Sequence, residues 1–590
     1  MTSPAAVPRY GARVLPEGGT RFALWAPDAR SVALRLWTGE TIAMSATGDG
    51  WYELEYPCGA GMDYRFLING ELQVPDPAAR AQVDDPSGWS RVVDHSAYQW
   101  RIHHWQGRPW HEAVIYEVHA GLLGGYNGVR QRLLALAALG VTAIELMPLA
   151  EFPGARNWGY DGVLPFAPEA SYGSPEELKA LIDTAHELGL MVYIDVVYNH
   201  FGPEGNYLGQ YAKRFFREDI QTPWGAAIDF RRPEVRDFFC ENALMWVLDY
   251  RVDGLRFDAV HAISEKDFLP ELALRVRTAI PAGRHVHLML ENEDNDPALL
   301  EQGFDAQWND DGHNVLHHLL TGEQEGYYRE FVEQPTAKLA RFLGEGFIFQ
   351  GEPDRRGRKR GAPSGHLPPT RFILFLQNHD QVGNRALGER LHQLAEPDVL
   401  RAALVLTLLS PMVPLLFMGE EWGASEPFVY FTDHSPALAK AVCDGRRNEF
   451  ADFARFADPE LRAQIPDPNA LDSFRRSAPA YGAPHSELQQ QWLALYRRLL
   501  HVRADEIIPR LSGDVRSTGV TVLGEGAVSA SWQMGDQSLL RIDINLGATP
   551  VAAPPLAQAK VLFQQGLDEQ ALAQGVLPAR TAIASIREAI

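Results

Sequence analysis

Three scarcities in the sequence narrow its function first. Cysteine occurs only at Cys58, Cys240 and Cys443 in 590 residues. An odd count at such wide spacing fits neither a disulfide framework nor a cysteine metal site. It fits a reducing compartment, so a cytoplasmic protein is expected. No run of eighteen or more apolar residues occurs, so no segment reads as a membrane span. The opening Met1-Thr2-Ser3-Pro4-Ala5-Ala6 has no basic segment before an apolar core and does not read as a signal peptide. Positive charge is also short: 54 Lys and Arg stand against 76 Asp and Glu, a net charge of -22. That balance disfavours nucleic acid and anionic membrane as partners and leaves neutral ligands open. Internal repeats and low-complexity tracts are absent.

What is there reads as an ordinary globular chain, 46% hydrophobic and 22% charged. Its length calls for roughly two to four domains. Up to residue 108 the pattern is β. Arg21–Pro27, Ser31–Trp37, Trp51–Tyr56 and Tyr64–Gly70 alternate or run apolar around turns, which predicts a β-sandwich. The tract Val74–Arg80 is expected to lead out of it along the surface. From 109 to 510, strands and helices alternate. The predicted strands are Val114–His119, Val141–Pro148, Met191–Val197, Gly254–Val260, His287–Leu290, Gly303–Trp308, Arg371–Gln377 and Val413–Met418. Helices are expected at Val129–Leu139, from Ser174 to Gly189, and at Pro233–Tyr250, Glu265–Ile280 and Leu488–Ala504. Ser174-Pro175-Glu176-Glu177 spells a capping box with proline at the first helical position. Eight such units predict an α/β protein built on a (β/α)8 barrel. Residues 511–590 return to short alternating segments, a second β-sandwich. The loop 344–369, with Arg355-Arg356-Gly357-Arg358-Lys359-Arg360, reads as solvated and mobile, or alternatively as a lid.

Four predicted strands share one form, an apolar run that ends in polar residues. They are Met191 to His200, Gly254 to Asp258, His287 to Asn292 and Phe372 to Asp380. Arg256 and Asp258 lie two apart, so on a strand they face the same way. A guanidinium there holds the carboxylate ionised, as a nucleophile requires. Glu291 follows Leu288-Met289-Leu290, and that apolar setting is expected to keep its proton. Asp195 sits inside its strand and reads as a buried acid paired with Arg256. Acids delivered from strand C-termini converge at the top of a barrel. Any one of these acids alone would read as a barrel-mouth ion pair.

In chain order, the four stretches together resemble the signature regions of the α-amylase superfamily of glycoside hydrolases. The N-terminal region is similar to the immunoglobulin-like module of its branching and debranching members. The resemblance implies Asp258 as nucleophile, Glu291 as proton donor and Asp380 as transition-state stabiliser. It implies sugar contacts from His200, Arg256 and His379, and a stacking role for Tyr160, near Trp158 and Asp161. Asn309, Asp310, Asp311 and His313, with Arg446, Arg447 and Glu449, are expected on the leaving-group side. Asn199 stands where relatives bind calcium, but residues 201–230 are short and lack a second carboxylate cluster, so no metal is expected, and no organic cofactor.

Three longer motifs narrow the resemblance: Ile144 to Asp161, Gln377 to Ala386, and Phe417 to Ala424 with Tyr430 to His434. They are similar to the maltooligosyltrehalose trehalohydrolases of that superfamily. This implies a maltooligosyltrehalose or related α-glucan substrate, release of trehalose, and a monomer or weak homo-oligomer. A glycogen branching enzyme and a non-catalytic glucan-binding protein stay open as alternatives.

Overall fold

The computed structural model describes residues 8–589 apart from 223, 356, 452, 483–485, 554, 557, 568–570, 572 and 573. The Met1–Ala6 stretch and Arg356 of the basic loop lie outside the described residues.

Two antiparallel sheets open the chain. One orders Arg13–Val14, Thr20–Trp25, Trp51–Tyr56 and Ser45–Gly48; the other orders Thr41–Ala43, Val32–Leu36, Asp63–Ile68 and Leu72–Val74. Alternation does the sorting. Val32, Leu34 and Leu36 are buried and stand opposite Ile68, Phe66 and Tyr64 in the register. The expectation for Val74–Arg80 fails here. Every residue of that tract is buried. Asp76 accepts the Tyr64 hydroxyl at 2.6 Å. The Arg80 guanidinium lies 4.5 Å over the Phe166 ring and donates to the carbonyls of Ala78 and Tyr10. The tract runs along the seam between the sandwich and the next unit, because its apolar residues and its one cation both find partners there.

Eight parallel strands then close a barrel in chain order: β1 (Ile115–Val118), β2 (Ala143–Leu146), β3 (Met191–Val196), β4 (Gly254–Phe257), β5 (His287–Leu290), β6 (Ala306–Trp308), β7 (Phe372–Phe375) and β8 (Val413–Phe417). All eight lie within the predicted segments. Gly254 is needed inside the barrel, where a Cβ would meet the His287 carbonyl at 2.5 Å and the Tyr193 ring at 2.8 Å.

The helix before β3 spans Pro175–Glu187 with its capping box formed, and Ser174 Oγ accepts the Glu177 N–H. The predicted Val129–Leu139 helix is instead two, Gly125–Arg130 and Leu133–Leu139. Arg132 N–H bonds the Val129 carbonyl three residues back. That tight turn re-aims the second piece so that Leu133, Leu136 and Leu139 face the core.

The C-terminal strands Arg516–Gly524, Ala527–Gln533, Leu539–Asn545, Thr581–Arg587 and Lys560–Gln565 form one five-stranded sheet, with a two-stranded ribbon, Val551–Ala552 and Val576–Leu577, beside it. The sheet packs on the barrel helices Pro335–Glu345 and Pro397–Leu409. Cys58, Cys240 and Cys443 are free thiols. Among the described residues, no helix is long and apolar enough to cross a membrane.

Candidate active site

Inward positions change character along the barrel. Near the strand starts, Ile115, Ala143, Met191, Met289, Ala306 and Val413 make an apolar plug. A pleat or two further on, the same faces carry Glu117, Glu145, Asp195, Arg256 and Glu291.

Arg256 is the hub, 1% exposed. Its Nη1 donates to Asp195 Oδ2 at 2.7 Å and to Asp258 Oδ1 at 2.9 Å; its Nη2 donates to Glu291 Oε2 at 2.7 Å. The guanidinium lies 4.2 Å over the ring of Trp308. Asp195 is thus the buried partner of Arg256 that its place in the strand suggests. Glu291 also accepts the N–H of Ala259 at 2.9 Å. Ala259 follows Asp258 directly and adopts a left-handed backbone, φ 41°. That conformation costs an alanine about 1–2 kcal/mol, and it turns the N–H onto the acid.

Asp258 and Glu291 are close enough to share a hydrogen bond, and their charge states are linked. Burial and the neighbouring Glu291 push Asp258 well above the usual carboxylate range. Burial also works to raise Glu291, but Arg256 and the Ala259 N–H outweigh it and hold it below the usual range. This reverses the expectation from sequence. Leu288 and Leu290 face away into the core, and the carboxyl of Glu291 sees Arg256 instead.

His379 and Asp380 begin a one-turn helix, His379–Gly383, capped by the Asn378 side chain on the Gln381 N–H. Asp380 Oδ1 accepts Asn384 Nδ2. Burial and the charge of Glu291 raise Asp380, while His379 opposes that rise. The His379 ring stacks on Tyr160 at 5.1 Å between centroids. The Tyr160 hydroxyl reaches both Asp195 Oδ2 and His379 Nε2, at 2.6 and 2.8 Å. His200 bonds the Tyr160 carbonyl through Nε2, and burial lowers its pKa, so the ring is neutral with Nε2–H as donor. Its Nδ1 finds no partner among the described residues.

Other expected contacts divide. Asp161 is half-buried, held by Asn157 Nδ2 and near His434. Glu449 is exposed at the end of the helix Pro436–Glu449 and pairs with Arg446. Three calls need correction. Trp158 is core: its indole N–H bonds the Val429 carbonyl and its ring stacks on Phe428, behind His379. Asn309 is fully buried and caps the next helix through the Gly312 N–H. Asp311 is fully buried as well, taking Asn295 Nδ2, the N–H groups of Ile348 and Phe349, and Arg360. Arg447 is half-buried on the same helix as Arg446, which donates to the carbonyls of Gly383 and Arg385. Of the four residues expected after β6, only Asp310 stays half-buried, with Gln381 Nε2 on its carboxyl. Burial, then Glu291 and Asp380, raise it to about 8. The basic loop is anchored where Arg360 pairs with Asp311 and covers the Phe349 ring.

Two residues escaped the sequence reading. Trp224, 46% exposed on the hairpin after β3, stacks on His200 at 4.7 Å. Glu117 takes the backbone N–H and the ring Nδ1 of His379. An acid inside the apolar strand Val114–Val118 was the available signal for Glu117; nothing in sequence pointed to Trp224. Asn199 is buried, and neither atom of its amide finds a partner among the described residues.

Three known families match parts of the chain: carbohydrate-binding module 48 (isoamylase N-terminal domain) over 9–79, the alpha amylase catalytic domain over 84–224, and a domain of unknown function, DUF3459, over 515–584. A malto-oligosyltrehalose trehalohydrolase of Deinococcus radiodurans is 39% identical over 587 residues, covering 96% of this chain and 95% of that one. Its namesake in Saccharolobus solfataricus is 36% identical over 87% of this chain and 91% of its own. A branching enzyme of Nocardia farcinica matches only 44% of this chain and 38% of its own. Among solved structures, a candidate alpha amylase of Salmonella typhimurium shares 42% identity and a TM-score of 0.92, over 98% of this chain and 99% of that one. A pullulanase from Anoxybacillus, at 18% identity and TM-score 0.70 over 98% of this chain and 87% of that one, shares the fold. On end-to-end identity above a third with several namesakes, the chain belongs to the malto-oligosyltrehalose trehalohydrolase family.

Proposed function

We propose that the protein hydrolyses the α-1,4-glucosidic bond next to the terminal trehalose of maltooligosyltrehalose, with retention, and so releases trehalose and a maltooligosaccharide. One observation carries this reading. Asp258 and Glu291 meet on one guanidinium at the ends of adjacent strands, in a chain related end to end to trehalohydrolases.

Two carboxyls suffice for the chemistry. Asp258 attacks the anomeric carbon while Glu291 protonates the glycosidic oxygen, and trehalose leaves. Glu291, now a carboxylate, takes a proton from water. The water oxygen displaces Asp258 from the anomeric carbon, and the maltooligosaccharide departs with its α configuration. The first step needs the proton on Glu291 and Asp258 ionised, against the direction in which the free cleft shifts each acid. The entering glycosidic oxygen parts the two acids and offers Glu291 a hydrogen-bond acceptor. The proton is then held on Glu291 and Asp258 is left as the nucleophile. Asp380 steadies the charge that develops on the sugar, with Tyr160 and His379 beneath the ring and His200 at its edge. Asp161, Asp310 and Glu449 are left as polar groups for the flanking sugars. The free thiols support a reducing compartment.

The test supplies a maltooligosyltrehalose and, separately, a maltooligosaccharide of equal length, and resolves the products by chromatography. Trehalose from the first with slow cleavage of the second is the expected result. Equal cleavage of both would make this a general α-glucanase. New 1,6 linkages without trehalose would make it a branching enzyme, and no turnover at all a binding protein.

A further inference from the structure

Glu117 lies 262 positions from His379 in the chain, yet it is held almost entirely by that one residue. It is 1% exposed. One carboxylate oxygen accepts the His379 backbone N–H at 2.7 Å, and the other accepts ring Nδ1–H at 2.5 Å. On the far side of the ring, Nε2 faces the Tyr160 hydroxyl at 2.8 Å. That hydroxyl has a single proton, and it donates it to Asp195 Oδ2 at 2.6 Å. An oxygen already donating its proton can only accept from Nε2, so Nε2 carries hydrogen too. The row then alternates without a break: carboxylate 117, imidazolium 379, phenol 160, carboxylate 195, guanidinium 256, and the two acids 258 and 291.

Resting on the reaction assigned above, we propose that Glu117 is a positioning residue for it. It holds His379 as a fixed imidazolium, a donor at both nitrogens, under the sugar whose bond is broken. A neutral ring with its hydrogen on Nδ1 would turn Nε2 into an acceptor. It would then compete with Asp195 for the Tyr160 proton, and the phenol, Asp195 and Arg256 would lose their shared alignment.

The groups facing the ring differ in sign, with the acids prevailing. Glu117 comes from β1, Tyr160 from the loop after β2, Arg256 from β4, and Asp380 from its own turn. His119 of the β1 end is also near, pushed down by burial to about 4 and so uncharged at neutral pH. Burial and the Arg256 charge work against charge on His379, but the Glu117 charge and hydrogen bond, with Asp380, lift it above its usual range. The working form is the protonated one, so alignment is lost as pH rises through the His379 pKa. Without Glu117 that loss comes at lower pH.

The experiment is nitrogen-15 histidine NMR of the full chain without substrate, with His379 assigned by the signals missing in His379→Asn. Wild type at pH 7 is expected to show imidazolium shifts at both ring nitrogens, and Glu117→Gln a neutral ring. In kinetics, the alkaline limb of kcat in Glu117→Gln is expected to move down by about one pH unit or more, with KM changed less than kcat. Glu117→Asp is expected to restore most of the limb. A neutral ring in wild type, or an imidazolium that persists in Glu117→Gln, overturns the proposal. An unmoved limb with kcat lowered equally at every pH also overturns it, leaving Glu117 a structural acid. The NMR result does not depend on which glucan is cleaved, so it stands apart from the reaction itself.

Discussion

Asp258 and Glu291 meet on one guanidinium in the free cleft: Arg256 grips them at 2.9 and 2.7 Å. Their roles become distinct only when a substrate oxygen comes between them. Stereochemistry reports which acid does which job. With an α-maltooligosyl fluoride, which needs no protonation to leave, Glu291→Ala plus azide is expected to yield the α-azide, because azide intercepts the covalent intermediate. Asp258→Ala plus azide is expected to yield the β-azide, because azide replaces the nucleophile. On the natural substrate, Glu291→Ala should lose about 10²–10⁴-fold in kcat. Exchanged anomers would reverse the assignment, and the same anomer from both variants would void it.

Buried acids at the end of β8 predict a pH-dependent stability. Burial raises Glu420 to about 7 and Glu421 to about 8. Their hydrogen-bond partners include Tyr496 for Glu420 and Tyr116 for Glu421. A raised carboxyl binds its proton more tightly in the folded state than in the unfolded one. Its contribution is therefore fully present below the unfolded value near 4.5 and is lost as pH climbs to about 8. Thermal melts between pH 5 and 9 should show wild type declining and Glu421→Gln declining less. Parallel curves would refute the burial argument.

Glu145 supplies a companion test. It is fully buried, and neither carboxyl oxygen has a partner among the described residues. Burial, then the charges of Glu117 and Asp195, raise it well above its usual range, so it sits there neutral. Glu145→Gln should change stability at pH 7 by no more than about 1 kcal/mol, and it should gain on wild type as pH rises. A loss of several kcal/mol in urea unfolding at pH 7 would mean that the carboxylate is charged and held.

Arg503 predicts the opposite outcome for a buried cation. Fully buried, it donates to the carbonyls of Leu408, Ser410 and Met412, at 2.9, 2.8 and 2.7 Å, where the helix Pro397–Leu409 turns into β8. Arg503→Met strands three carbonyls at about 1–3 kcal/mol each. Urea unfolding should show a loss of at least about 3 kcal/mol, with kcat at 25 °C nearly unchanged. A loss under 1 kcal/mol would show that the turn finds other donors.

The barrel strands and the acids of the four motifs were legible because both depend on neighbours a few residues away. Alternation sorted Val32, Leu34 and Leu36, and Ser174 to Glu177 spelled out its own cap. The same local view misread Glu291. Leu288 and Leu290 belong to its strand, but its carboxyl answers to an arginine 35 positions away. Glu117 showed only as an acid inside an apolar strand, and its partner was hidden for the same reason, since His379 follows β7, six strands on. Asn309 and Asp311 looked free because their partners, Gly346, Ile348 and Phe349, come from a segment beyond the next helix.

The buried seam of Val74–Arg80 bears on how this chain can be cut and joined. A module bounded by strands alone would end at Val74 and could be exchanged like a cassette. Here the excised piece would carry away Arg80, which covers the Phe166 ring. It would also carry away Tyr10, which packs edge-on to Phe238 and donates to the Glu234 carbonyl. The remaining catalytic half would then show water an apolar face that it never shows in the whole chain. Chimeras that keep residues 74–80 with their native barrel should stay in solution, and those that swap the sandwich and import a foreign tract should aggregate.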